Sequence, residues 1–317
     1  MKVAKMIEVY VDARRSLGSR FIADAGILKR FLRVVGDVSP DTITVEVCQQ
    51  FYLGAEPHTA TCTKRYSTLR SFFRFAISRR LLAATPLPPR APRIVSMFRP
   101  HIYSSDELRR LLDATSVLAD ARSPLQAATF RTILLLLYAA GLRAGEALRL
   151  SLSDVDLDGE MLRIRDSKFS KSREIPISES LCAALARYRA QRRLLPMPDG
   201  SSATFFATRT GRGVSLDRLE RVFRRVRRDA QLVLPHAARR AQPRLHDLRH
   251  SFAVHRLLAW YNEGADVQQR LPWLSRYLGH RNLRGTQVYL SLTPSLLQAA
   301  STRFADYAGP REECAHE

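Results

Sequence analysis

Three short segments in the second half of the chain carry side chains that could act on a phosphate. In GLRAGEALRL (141–150), Arg143 and Glu146 stand three residues apart at the end of an apolar stretch. In RLHDLRHSFAVHRLL (244–258), His246, Arg249 and His250 fall at i, i+3 and i+4, which puts them on one face of a helix. In YLGHRNLRGTQVYL (277–290), His280 precedes Tyr289 by nine residues. Arginine guanidinium groups bind anionic oxygens bidentately, and histidine moves protons near neutral pH. A tyrosine hydroxyl, with an unperturbed pKa of about 10, becomes a nucleophile once a base takes its proton.

Taken singly, each segment has an ordinary alternative. Arg143 and Glu146 could be an intrahelical ion pair, His246 a helix-cap histidine, and Tyr289 a core or surface tyrosine. His246 and His250 could share a zinc ion, but the hydrolase version of that spacing needs a Glu directly after the first His. Asp247 stands there instead, and Arg249 on the same face would repel a cation.

Charge narrows the choice. The 317 residues hold 51 Lys and Arg against 30 Asp and Glu, a net +21. Such an excess attracts polyanions, of which nucleic acid is the commonest match. Arginine far outnumbers lysine, which suits bidentate phosphate contacts better than diffuse attraction to a membrane. A GC-rich genome would also enrich arginine, so charge alone implies nucleic-acid binding and nothing finer. Cys48, Cys62, Cys182 and Cys314 are scattered without CxxC or metal spacing, as expected for a reduced, cytosolic protein. The longest apolar run, Thr132 to Leu142, is too short to span a bilayer. Glu8 and Asp12 interrupt any signal-peptide core behind Lys2 and Lys5, so a soluble, intracellular protein is expected.

The elements that must position these groups follow from periodicity. Residues 1 to about 83 read as short amphipathic helices, with Asp41 as a cap ahead of Ile43, Val45 and Val47. Pro57 precedes a long helix through Arg80, in which Leu69, Phe72, Phe73 and Ala76 form an apolar stripe. Lys64, Arg65, Arg70, Arg74, Arg79 and Arg80 surround that stripe, either as a solvated face or as a face laid along a DNA backbone. A proline-rich stretch between Ala84 and Pro100 marks a domain boundary. Beyond it, Ser104 or Ser105 caps DELRRLLDAT, and an apolar helical stretch over 124–150 breaks at Gly141. From Val155 to Ile177 the alternation in MLRIRD and REIPI predicts a small antiparallel sheet with a basic hairpin tip at Ser167–Ser172. Helices resume near Ser180, include an arginine-rich one from Asp217 to about Ala230, and continue to about Tyr307.

Together the motif segments resemble the tyrosine recombinase (phage integrase) family, over about residues 102 to 307 and more loosely over the helices before them. The family's GLRxGE-like box falls on Arg143 and Glu146, its HxLRH box on His246, Arg249 and His250, and its LGH box on His280, with the nucleophile at Tyr289. Its hairpin lysine falls on Lys168, the first lysine of SKFSKSREIPI, although Lys171 lies on the same hairpin. One departure is the interval between His250 and His280, which is longer than in compact members, with WYNEGADVQQRLP inserted or extended.

The resemblance implies a mainly α fold. Residues 1–90 would be a helical, SAM-like core DNA-binding domain, 91–101 a linker, and 102–317 an α-rich catalytic domain with a small antiparallel β-sheet. It implies an enzyme that cleaves and rejoins DNA through a 3′-phosphotyrosyl bond and a Holliday junction, without cofactor or metal. Arg143, Lys168, His246, Arg249, His280 and Tyr289 are the expected catalytic residues. Arg143 and Arg249 would hold the nonbridging oxygens, His246 accept the tyrosine proton, His280 bond the phosphate and Lys168 protonate the leaving 5′ oxygen. The expected partners are double-stranded DNA sites and further copies of the chain in a tetramer, with TPSLLQAASTRFADY packed on a neighbour. A prokaryotic, nucleoid-associated setting is expected, and the extended stretch before His280 favours service to a mobile element over chromosome housekeeping. Two other functions would use the fold: a catalytically silent DNA-binding protein, or a type IB topoisomerase-like relaxing activity.

Overall fold

The computed structural model describes residues 1–18, 21–54, 59–91, 100–165, 172–235, 241–280 and 282–291. The chain divides into two compact units, Met1–Phe98 and Arg99–Glu317, and the division falls inside the proline-rich stretch. Lys168, Lys171, Pro57, Cys314 and the TPSLLQAASTRFADY segment lie outside the described residues.

The first unit is built from α1 (Val3–Ser16), α2 (Ile22–Val35), α3 (Val45–Leu53) and α4 (Ala60–Ser78). The apolar stripe predicted on α4 is its buried face, with Leu69, Phe72, Phe73 and Ala76 closed to solvent. Rings from α1, α2 and α4 meet in tilted and edge-on pairs, among them Tyr10 with Phe72 and Phe31 with Phe73. Each such ring contributes roughly 1.5–3 kcal/mol by leaving water. Lys64, Arg70, Arg74, Arg79 and Arg80 are exposed, while Arg65 is half-buried with its guanidinium over the Phe51 ring. The cap of α3 is Thr44, not Asp41. Pro40–Thr42 form a 3-10 turn that takes up Asp41, the backbone is extended at Thr44, and the Thr44 hydroxyl accepts from the Val47 amide.

The second unit opens as predicted. Ser104 and Glu107 form a reciprocal capping box on α5 (Ser105–Asp113). The apolar stretch forms α6 (Gln126–Ala139), stops at Gly141, and restarts as the single-turn α7 (Ala144–Ala147). A three-stranded antiparallel sheet follows in the order β1 (Val155–Asp156), β2 (Met161–Ile164), β3 (Arg173–Pro176). Leu162 pairs with Ile175 and Ile164 with Arg173, so Arg173 occupies the same inward-facing register as Ile175. Then come α8 (Glu179–Arg193), α9 (Leu216–Asp229), α10 (Asp247–Asn262), α11 (Val267–Leu278) and α12 (Arg284–Gln287), with a 3-10 turn over Val288–Ser291. The arginine-rich α9 buries Leu219, Phe223 and Val226 and exposes Arg221, Arg224, Arg225 and Arg228. The long interval after His250 is mostly helical. It completes α10, turns at Gly264, and starts α11 under an Asp266 cap.

Two apolar clusters hold this unit. The larger joins α5, α6, the sheet, α8 and α9, and the smaller joins α10 and α11 and includes Tyr289. Among the described residues, no helix is long and apolar enough to cross a membrane.

Candidate active site

Two glycines shape the backbone of the site. Gly141 has φ +58°, and a Cβ there would collide with the Phe252 ring, so only glycine permits the turn between α6 and α7. Gly279 ends α11 at φ +66°, where a Cβ would lie 2.8 Å from Arg173 Nη1. The two turns present carbonyl oxygens that α6 and α11 cannot satisfy internally, and arginines take them. Arg249 donates to Gly141 O at 2.7 Å and to Leu278 O at 2.6 Å, while Arg143 donates to Gly279 O at 3.1 Å. A cation at a helix C-terminus is also favoured by the helix dipole.

One carboxylate organises the arginines. Glu146 is buried and accepts from Arg143 Nη1 at 2.7 Å, from the Arg143 amide at 3.1 Å and from Arg173 Nη2 at 3.0 Å. Arg249 Nη1 lies 4.0 Å from the same carboxylate. The ion pair of Arg143 with Glu146 is therefore real, but it is one edge of a network rather than a surface contact. Burial alone would raise the Glu146 pKa, yet the hydrogen bonds and charges of Arg173 and Arg143 outweigh it and hold the carboxyl at about 2. Burial, with the nearby Arg143 charge, lowers Arg249 to about 10, which still leaves it cationic at neutral pH. Three guanidinium groups against one carboxylate leave two positive charges in excess, in a pocket that an anion would neutralise.

The histidines are neutral. Burial and neighbouring positive charge push His246, His250 and His280 each down to about 4. His246 occupies the cap position of α10, but its side chain makes no cap bond, so capping does not account for it. Its ring meets that of His250 edge-on at 4.7 Å. His280 Nδ1 lies 2.7 Å from the hydroxyl of the fully buried Thr286. When that hydroxyl donates to Nδ1, the remaining proton sits on Nε2, the tautomer that can donate to a phosphate oxygen.

Tyr289 is only 3% exposed, and its hydroxyl lies 3.2 Å from His250 Nδ1. Its ring stacks on that of His280 at 6.1 Å between centroids. Burial raises its pKa, against the opposing pull of Arg249 and Arg143.

Five of the six expected residues, Arg143, His246, Arg249, His280 and Tyr289, thus come together, and Lys168 lies outside the described residues. Reasoning from sequence missed Arg173, Thr286 and the contact of His250 with the tyrosine. The proton acceptor expected at His246 has a counterpart in His250, which is the histidine hydrogen-bonded to Tyr289. A signal for Arg173 existed in the strand alternation, which puts it on the side of Ile175 and Ile177 and so demands a buried partner. Among the described residues, no group of three or more His, Cys, Asp or Glu side chains is placed to hold a metal ion.

Comparison with known proteins agrees with this geometry. The phage integrase family model matches residues 102–295. A Sinorhizobium fredii protein carrying the name integrase/recombinase y4rE is 35% identical over 311 residues, 95% of this chain and 95% of its own length. The tyrosine recombinase XerC of Halalkalibacterium halodurans is 33% identical over 245 residues, 75% of this chain and 73% of its own. The fold is similar to that of a lambda integrase tetramer bound to a Holliday junction, with TM-score 0.66 and 20% identity over 89% of this chain and 78% of that one. The chain belongs to the phage integrase family. Its activity is that of a tyrosine-type site-specific DNA recombinase.

Proposed function

We propose that Tyr289 is the nucleophile of this recombinase and that Arg143, Arg249, His246, His250 and His280 serve it, with Lys168 as general acid. The observation that supports this most is the convergence of an arginine cluster only partly neutralised by Glu146 and neutral histidines on one buried tyrosine. Phosphodiester transfer places extra negative charge on the nonbridging oxygens, which Arg143 and Arg249 can hold bidentately without reorganising. The tyrosine oxygen attacks phosphorus, and its proton passes to a neutral histidine, His250 directly or His246 beside it. The bond to the 5′ oxygen breaks, Lys168 supplies the proton that oxygen needs, and His280 donates to the phosphate. The 3′-phosphotyrosyl product keeps the energy of the broken linkage, so rejoining needs no nucleotide cofactor.

Residues 1–90 are then the core DNA-binding domain, 91–101 the linker and 102–317 the catalytic domain. Assembly of four copies on two DNA sites is supported by the similar fold of the lambda integrase tetramer on a Holliday junction. Service to a mobile element is supported by the relative named as an integrase. Such a protein acts on the nucleoid of a prokaryotic cell.

The test is a nicked suicide duplex carrying the recombination site, found by footprinting the DNA that flanks the gene. A covalent protein–DNA adduct should form with the natural chain and vanish in Tyr289→Phe. Persistence of the adduct in that variant removes Tyr289 from its role. Exchange of strands between two duplexes, rather than relaxation of a supercoiled circle, then separates a recombinase from a topoisomerase.

A further inference from the structure

We propose that Arg173 is a positioning residue for strand cleavage: through Glu146 and the turn after α11, it fixes Arg143 and His280 toward one phosphate. The proposal rests on the active-site reading above.

Arg173 heads β3 in the register of Ile164, on the inward side of the sheet, where a charged residue keeps little hydration. It resolves this with three directed contacts. Nη1 and Nη2 reach the two Glu146 oxygens at 3.3 and 3.0 Å, a bidentate pair, and Nε donates to Tyr277 O at 2.9 Å. Its guanidinium also fills the space beside Gly279 that any side chain would occupy. A single group therefore ties the sheet to the carboxylate that orients Arg143 and to the last turn of α11, which leads into His280. Arg173 is largely buried, keeps 13% side-chain exposure, and touches neither Tyr289 nor any reacting atom in the described contacts. Lysine could replace its charge. It could not replace a planar fork that serves two carboxylate oxygens and a carbonyl at once.

At the same end of the hairpin the facing strand also ends on an arginine. Arg165, just after β2, pairs with the buried Asp154 at 2.5 Å. That pair joins the sheet to the 3-10 turn before β1 and leaves the arginine half exposed, so Arg165 is a neighbouring arginine–carboxylate pair outside the Glu146 network against which Arg173 can be compared.

The groups facing Glu146 are Arg143 at the head of α7, Arg173 from β3 and Arg249 from α10. Removing Arg173 takes away the strongest influence that keeps Glu146 ionised, so the carboxyl becomes easier to protonate. A protonated Glu146 holds Arg143 with one charge fewer.

The experiment measures single-turnover cleavage of the nicked duplex, and binding of an intact duplex, for the natural chain, Arg173→Ala, Arg173→Lys, Glu146→Gln, Arg165→Ala and the Arg173→Ala/Glu146→Gln pair. Arg173→Ala should slow cleavage about 100-fold, the cost of a small misplacement, while duplex affinity stays within about threefold because many other basic residues supply it. Arg173→Lys should recover part of the rate, and Arg165→Ala should lose far less. The rate of Arg173→Ala should fall on the acid side at a higher pH than that of the natural chain, and this shift should disappear in the pair with Glu146→Gln, leaving the acid limb of the histidines. Equal rates for Arg173→Ala and the natural chain overturn the proposal. An Arg173→Ala loss of the same size in the Glu146→Gln background overturns the placement of Arg143 through Glu146, since only the contacts with Tyr277 O and Gly279 would then carry the effect. If Arg173→Ala fails to fold by circular dichroism, Arg173→Lys takes its place in the same cycle. No adduct from the natural chain overturns the active-site reading itself, a result distinct from the other two.

Discussion

The two units keep their charges in opposite places. In the first, aromatic and aliphatic side chains fill the core, and the α4 cations stand outside it. Its most enclosed ion pair among the described residues, Lys64 with Asp24, still leaves the lysine half exposed. In the second, Glu146, Asp247 and Arg249 are all sealed from water beside three histidines that burial keeps neutral. A surface that grips a polyanion can leave its charges hydrated. A site that stabilises developing charge has to bury them, and burial of charge works against stability unless every partner is present. The second unit accepts that cost at the site, and again at Asp154 and Arg192, and compensates with its larger aliphatic core.

Four measurements would break or sharpen this contrast. The largest effect is expected from Arg249→Ala, which should cut cleavage by about 10²–10³-fold while DNA binding falls little. A comparable loss of binding would mean the buried arginine is part of the grip. Next, Phe73→Ala in the first unit should cost about 3–5 kcal/mol in chemical denaturation, because the ring is closed to solvent on every side. A loss below about 1 kcal/mol would show that the first core is looser than its packing. Third comes pH. His246, His250 and His280 have folded pKa values near 4, below the ordinary 6.5, so the unfolded chain takes up protons that the folded one refuses. The second unit should therefore lose stability as pH falls from 6.5 toward 4, and above that window these groups should have no effect. The first unit has no described histidine, and Asp24 is lowered from 3.8, so its loss should begin only at more acid pH. Coincident acid midpoints for the two units would contradict the contrast. The smallest effect is Lys64→Ala, where an exposed pair should contribute at most about 1 kcal/mol.

Much of the site was legible because its residues sit at fixed steps along helices. Arg249 and His250 follow His246 on one face, and the Ser104–Glu107 capping box is a local pattern with a local cause. What escaped depends on distant partners. Arg249 bonds carbonyls 108 and 29 residues away, and Tyr289 meets a histidine 39 residues earlier, so helical spacing gives the face but not its neighbour. The misplaced cap at Asp41 is a smaller case. Asp41 and Thr44 both favour helix starts, and only the extended backbone at Thr44 decides between them. Arg173 was hidden because an arginine in an alternating strand reads as a solvent-facing residue until its parity with Ile175 is counted.

The covered hydroxyl of Tyr289 bears on how such a protein survives its own chemistry. A net charge of +21 attracts any stretch of DNA, and every stretch offers phosphates that an open nucleophile could nick. With the hydroxyl engaged by His250 and only 3% of the residue in water, contact with DNA and scission become separate events. If Tyr289 is the nucleophile proposed above, cleavage then requires its hydroxyl to leave His250, a step that binding alone does not require.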